Sequence, residues 1–211
     1  MSPSDRLHYV RIPNGFGGRA EQVRMAYALA GKPYVDVLCT FAEAAVAVAG
    51  RNPFKQFPFV ETPSGEVVYQ TLAIMHHVGR GTPVWPDDPA ALTRALEIGV
   101  AAYDLYQFFG AFAADDAAAK KKFEERRAPQ FFGGLAEIYG QRPFAAGDTA
   151  SFADCMAHEA VAWCVRRNDV CRGLFERSPA LTAFNARFEQ IPAIAALLAR
   201  QTAAREADNS V

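Results

Sequence analysis

A proline set between apolar, strand-forming residues limits the folds open to this chain more than any other feature, in the run Lys55-Gln56-Phe57-Pro58-Phe59-Val60. Proline has no N–H to give to a ladder, so an inner strand would lose a hydrogen bond there. The expectation is a turn into a sheet edge, through a cis bond. Soon afterwards Val67-Val68-Tyr69-Gln70-Thr71-Leu72-Ala73-Ile74 passes from strand formers to a helical run. Gln70 and Thr71 then stand at a helix N-terminus, whose N–H groups can hold a carboxylate. A strand edge beside such a helix end suits a peptide-like anion.

Around this pair the first eighty residues alternate strand and helix signals. Residues 7–12 alternate in polarity and are rich in strand formers. After a glycine-rich stretch, residues 19–30 carry apolar residues at helical spacing and stop at Gly31 before Lys32-Pro33. Residues 34–38 read as a second strand and 41–49 as a short helix. Residues 57–61, the turn Thr62-Pro63-Ser64-Gly65 and 66–69 read as a hairpin, and 71–78 as a closing helix. The order is β-α-β-α-β-β-α.

Trp85-Pro86-Asp87-Asp88-Pro89 breaks the pattern, and the chain beyond it is helical. Apolar and aromatic residues recur along 91–113, and a second long helix is expected over 116–139. A third begins at Ser151-Phe152-Ala153-Asp154, which has the form of a capping box with an acidic third position. Ser178-Pro179 pairs a cap with a first-turn proline, and a last helix starts after Ile191-Pro192. Residues 201–211 read as a frayed tail. The division is therefore an α/β domain at 1–82, a linker at 83–90 and an all-helical domain at 91–211.

With 211 residues, 51% of them apolar, the chain can bury a real core. Its net charge of −1 gives no electrostatic reason to expect nucleic acid or an anionic membrane as partner. The basic run Lys120-Lys121-Lys122 is interleaved with acidic neighbours and reads as a solvated helix face. Cys39, Cys155, Cys164 and Cys171 form no C-x-x-C pair and no zinc spacing, so each reads as a small core residue and no metal is expected. His76 and His77 show no acidic partner nearby in sequence and read as surface or packing residues. Residues 1–6 lack a signal-peptide core and no apolar run reaches the length of a membrane span, which makes a cytoplasmic protein the expectation.

The order and spacing of these pieces resemble the soluble glutathione transferases of the tyrosine type, nearest the sigma class. The pieces are Leu7-His8-Tyr9, Gly18-Arg19-Ala20-Glu21, Phe57-Pro58, Gln70-Thr71, the Ser151-to-Asp154 box and Ile191-Pro192-Ala193-Ile194, spread over residues 6–200. The resemblance implies a thioredoxin-like domain followed by a helical bundle, with a site for glutathione at the edge of the first domain. Phe57 and Pro58 would meet the cysteinyl part as an added strand does. Gln70 and Thr71 would hold the γ-glutamyl carboxylate, with a ligand-free helix cap as the alternative. Gln56 would reach the glycyl end, where Lys55 or Arg51 could share the task. Asp104 would face glutathione across the interface of a homodimer.

A thiolate is the nucleophile in such chemistry, and a free thiol titrates near 8.5. Lowering that value by about two units takes roughly 3 kcal/mol, within reach of a hydroxyl donor helped by a helix N-terminus. The resemblance gives this role to Tyr9, with Arg19 orienting it or adding positive potential. The connection from Tyr9 to Gly18 is about four residues longer than the resemblance leads one to expect. It could reposition Tyr9, supply Asn14 or a glycine N–H as the thiolate's partner, or narrow the pocket with Phe16. A hydrophobic small molecule would lie against Phe16, Tyr103 and Tyr106, with Phe109, Phe112 and Trp163 as further candidates. The implied activity is conjugation of glutathione to apolar electrophiles. Glutathione-dependent isomerisation and a non-catalytic carrier are the alternatives, since a fold does not fix a function.

Overall fold

The computed structural model describes residues 4–12, 17–113 and 116–208, with side chains described outside 109–113 and 205–208. The chain forms two compact units. One runs to Trp85 and resumes at Pro192, and the other is Pro86–Ile191.

The first unit is built on a sheet of β1 (Asp5–Val10), β2 (Tyr34–Cys39), β3 (Phe59–Glu61) and β4 (Val67–Tyr69) in the order β2-β1-β3-β4. Helix α1 (Arg19–Ala30) connects β1 to its parallel partner β2, in register Leu7 to Asp36 and Tyr9 to Leu38. β3 and β4 pair antiparallel, with His8 opposite Phe59 and Val60 opposite Val68. α1 ends as its sequence predicts. Gly31 adopts a left-handed φ of 63°, and the N–H groups of Gly31 and Lys32 close on the carbonyls of Ala28 and Tyr27. Helix α2 (Ala44–Val48) is short, and α3 (Thr71–Gly79) returns to pack on α1. Leu7, Val23, Ala26, Phe59, Val60, Ile74 and Val78 are fully buried between sheet and helices.

Pro58 departs from expectation in one respect. The Phe57–Pro58 bond is cis, but Pro58 stands just before β3, which is an inner strand and not an edge. Its missing N–H falls outside the ladder, so the sheet loses nothing.

The second unit contains α4 (Pro89–Ala113), α5 (Ala117–Lys122), a π-helical turn (Phe123–Arg127), α6 (Ala128–Gln141), α7 (Phe152–Arg167), α8 (Asp169–Glu176) and α9 (Pro179–Glu189). The long helix expected over 116–139 is thus interrupted by the π-turn, and α8 is an element the sequence pattern did not separate. α4 and α7 approach closely because Gly99 carries no side chain. A Cβ there would lie 3.0 Å from the Phe152 ring. Tyr139 stacks on Phe184 at 3.7 Å in the aromatic centre of this unit.

Residues 201–208 belong to α10 (Pro192–Asp208), and Gln201 is buried, so they are no frayed tail. α10 packs on α1 and belongs with the first unit, whereas the sequence grouped 192–211 with the helical domain. The reason is a specific contact, since Gln201 Nε2 donates to Glu21 Oε1 at 2.6 Å.

Candidate active site

Tyr9 lies at the end of β1, half-buried, with its ring meeting Phe57 edge-on at 6.5 Å and 86°. Residues 48 positions apart are thereby joined, and the aromatic contact links the hydroxyl to the segment that ends in the cis-proline. The phenol oxygen rests on the backbone of Gly18, the residue before α1. A Cβ at Gly18 would stand 2.6 Å from that oxygen and 3.2 Å from Ile12 Cδ1, and the glycine holds a φ of 72°. Both the contact and the dihedral demand glycine. The Tyr9 hydroxyl therefore sits at the amide end of α1, where the helix dipole favours negative charge. Arg19 opens α1 beside Gly18, and the Arg24 guanidinium lies 6.0 Å from the centre of the Tyr9 ring.

Gln70 sits between β4 and α3 with a φ of 70° and ψ of 123°. A non-glycine residue there costs of order 1–3 kcal/mol and persists only when its surroundings impose it. Its side chain does not cap α3. It reaches instead to Gln56, whose Oε1 accepts from Gln70 Nε2 at 3.4 Å. The ligand-free cap, open as an alternative for Gln70, is therefore not what its side chain does. Thr71, the first residue of α3, is buried. Gln56, Phe57, Pro58, Gln70 and Thr71 thus come together along one side of the β3–β4 hairpin and the start of α3.

Asn52 is a further contributor. It is buried in an otherwise exposed loop, donates Nδ2 to the Gln56 carbonyl at 2.8 Å and accepts from Phe54 N–H at 2.9 Å. It shapes the turn that carries Lys55, at φ 51°, into Gln56 and Phe57. Its position between Gly-Arg and Pro, a turn-forming context, was the available signal.

Cys39 ends β2 with its Sγ donating to the Tyr9 carbonyl at 3.6 Å. Burial, with Glu43 adding to it, raises the thiol's pKa, which suits a packing residue better than a nucleophile. His77 does have an acidic partner, contrary to its sequence reading. Its Nε2 lies 2.9 Å from Asp5 Oδ2, an oxygen that also accepts from Tyr27 at 2.8 Å. Among the described residues no group of three or more His, Cys, Asp or Glu could hold a metal, and no helix is long and apolar enough to cross a membrane.

In the second unit, Tyr103 and Tyr106 lie half-buried on α4 and Asp104 is exposed between them. Tyr106 faces Trp163 of α7 at 6.3 Å, and the Arg167 guanidinium lies 3.3 Å from the centre of the Trp163 ring. Phe16 and Asn14 lie outside the described residues, as do the side chains of Phe109 and Phe112.

Residues 103–201 match the family described as "Glutathione S-transferase, C-terminal domain". Over 210 residues, covering 94% of this chain and 97% of the relative, the sequence is 26% identical to hematopoietic prostaglandin D synthase of Gallus gallus. By both comparisons the chain is similar to the glutathione S-transferases. Its fold matches rat hematopoietic prostaglandin D synthase, solved with a quinoline, with a TM-score of 0.79 at 21% identity over 94% of this chain and 98% of that one. It also matches a glutathione S-transferase of Methylobacillus flagellatus solved with glutathione bound, with a TM-score of 0.77 at 19% identity over 90% and 97%. The architecture is a thioredoxin-like first domain and a helical domain of the glutathione S-transferase fold.

Proposed function

We propose that this protein is a glutathione S-transferase that binds glutathione along the Gln56–Pro58 segment and the start of α3, ionises its thiol with Tyr9, and adds the thiolate to a small apolar electrophile. The observation that carries the reading is the meeting of the Tyr9 hydroxyl, the amide end of α1 and the Phe57–Pro58 segment. One hydrogen bond to a charged acceptor supplies about 1.5–3 kcal/mol, and a helix N-terminus adds up to about 1 at an exposed site. Together these lower the thiol's pKa by the two units that neutral pH requires. The thiol proton leaves to solvent, and the thiolate's electron pair then forms the bond to the electrophilic carbon. That attack either expels a leaving group with its bonding pair or opens a π bond whose carbanion takes a proton from solvent. Arg19 adds positive potential at the same helix end.

Phe57 offers its backbone groups to the cysteinyl portion, and Gln70 with Thr71 receives the γ-glutamyl carboxylate. Gln56, helped by Lys55, takes the glycyl end. Phe16, Tyr103 and Tyr106 take the apolar acceptor. Asp104 completes the glutathione site across a homodimer interface. The likeness to prostaglandin D synthases favours a second reading, isomerisation, in which the thiolate adds and then leaves again. Mass analysis of products distinguishes a retained glutathionyl group from its release.

The test is a glutathione titration of wild type and Tyr9→Phe, following heat of binding and thiolate absorbance together at neutral pH. Wild type gives a thiolate signal that Tyr9→Phe loses. Turnover falls at least about tenfold, roughly 1.4 kcal/mol of transition-state stabilisation, while affinity stays nearly the same. Undiminished ionisation in Tyr9→Phe would move the role to the stretch between Tyr9 and Gly18. Apolar-ligand binding without turnover would make the protein a carrier.

A further inference from the structure

The first unit holds a buried polar chain that the proposed glutathione chemistry leaves unused. Gln201 of α10 donates Nε2 to Glu21 Oε1, and the other carboxylate oxygen of Glu21 accepts from Arg24 Nη1 at 3.1 Å. Arg24 in turn places its Nε and Nη2 on both oxygens of Asp36 in β2, at 2.7 and 3.1 Å. Gln201, Glu21 and Arg24 are 4%, 3% and 2% exposed. Burial opposes the Arg24 charge, but Asp36 and then Glu21 more than offset it and keep the guanidinium protonated. Buried ion pairs of this kind seldom stabilise a fold beyond what apolar packing would give. Geometry supplies a better reason for this one.

The chain of contacts reaches Tyr9 from two directions. The Arg24 guanidinium lies 6.0 Å from the centre of the Tyr9 ring, the range at which a cation acts on an aromatic face. The Glu21 N–H donates to the Gly18 carbonyl at 3.0 Å, and Gly18 is the residue against which the Tyr9 hydroxyl rests. Asp36 is opposite Leu7 in the parallel ladder, two residues before Tyr9. The fork between Arg24 and Asp36 fixes the guanidinium plane in a way an ammonium could not.

We propose that Gln201, Glu21 and Arg24 form a positioning relay through which the C-terminal helix α10 sets the orientation of the Tyr9 phenol. It rests on the reading of Tyr9 as the donor to the glutathione thiol. None of the three touches the reacting atoms. Gln201 satisfies one oxygen of Glu21, which leaves the other for Arg24. Without that amide, Glu21 keeps a buried oxygen short of a donor, and the side chain regains one only by turning from Arg24. Both supports of Tyr9 then loosen together.

The test reads Tyr9 directly, in the absence of glutathione. Tyrosine labelled with carbon-13 at Cζ is titrated by NMR in wild type, Arg24→Met, Arg24→Lys and Gln201→Leu, with the Tyr9 signal assigned from Tyr9→Phe and folding checked by circular dichroism. The Tyr9 midpoint rises by about one pH unit in Arg24→Met, a tenfold change in its ionisation constant. It rises less in Gln201→Leu, and Arg24→Lys falls between wild type and Arg24→Met. With glutathione added, thiolate absorbance and kcat fall in the same order, while KM for glutathione changes less than twofold. Should Arg24→Met not fold, Gln201→Leu carries the test, because a leucine is tolerated in a buried helical position. An unmoved Tyr9 titration in folded Gln201→Leu overturns the relay, whatever its melting temperature. A shifted Tyr9 titration alongside a wild type that never ionises glutathione upholds the relay and overturns the function proposed for Tyr9.

Discussion

Helices begin differently in the two units. In the second unit, Asp88 accepts from Ala91 N–H at 2.7 Å at the start of α4, and Asp116, Asn168 and Ser178 do the same for α5, α8 and α9. α7 goes furthest. Asp154 is fully buried and accepts four hydrogen bonds, from the Ala145 and Ser151 N–H groups, the Ser151 hydroxyl and the Tyr139 hydroxyl. In the first unit, α1 and α3 carry no side-chain cap, and each starts from a residue with positive φ, Gly18 or Gln70. A capped helix end has spent its N–H groups on its own chain. α1 and α3 start without a side-chain cap at the two places where the chemistry at Tyr9 and the carboxylate at Gln70 and Thr71 are proposed.

Substitutions can break this contrast, and the largest effect is expected in the second unit. Asp154→Ala leaves several buried donors unpaired at about 1–3 kcal/mol each, so denaturant unfolding should show a loss of several kcal/mol. The glutathione thiolate signal per folded molecule should not change. pH sharpens the point. Burial pushes the Asp154 carboxyl up to about 6, against hydrogen bonds that favour its anion. The folded chain then holds this proton more tightly than the unfolded chain, which titrates near 3.9. The contribution is fully present below about pH 4 and is lost as the pH rises through about 6. Asp154→Asn should flatten that part of the stability profile.

Gly18→Ala comes next. The added methyl meets the Tyr9 oxygen and a φ that alanine resists, which costs more than about 1 kcal/mol. Unlike Asp154→Ala, it should abolish thiolate formation in the folded protein, read by ultraviolet absorbance. Retained ionisation would show that the Tyr9–Gly18 contact is incidental. The smallest effect on folding has the opposite sign. Gln70→Gly relieves the strained backbone and should raise stability by up to about 1 kcal/mol while weakening glutathione binding about tenfold by calorimetry. Lower stability together with unchanged binding would remove α3 from the site.

How much of this could be read from residues alone depends on the range of each interaction. The capping box at Ser151–Asp154, the glycine that ends α1 and the Ser178-Pro179 start are local, and the residues that make them are neighbours in the chain. The hairpin with its cis-proline was legible for the same reason, although the rank of β3 within the sheet was not. That rank depends on which strand β1 chooses as partner. The π-turn at Phe123–Arg127 escaped because its sequence has ordinary helical periodicity. His77 and Asp5 are 72 positions apart, and Gln201 and Glu21 are 180 apart. No pattern within a window of sequence announces such pairs. Arg24 gave a partial signal, a charge in an otherwise buried helix with Glu21 one turn before it.

The return of α10 to the first unit also orders events in time. During synthesis the N-terminal sheet and α1 emerge first, and domains ordinarily fold as they appear. Here Glu21 waits for Gln201, so the unit that starts first is completed last, after the whole of Pro86–Ile191 has left the ribosome. A chain cut short before Pro192 would hold every residue assigned to glutathione and still lack the helix that finishes their support.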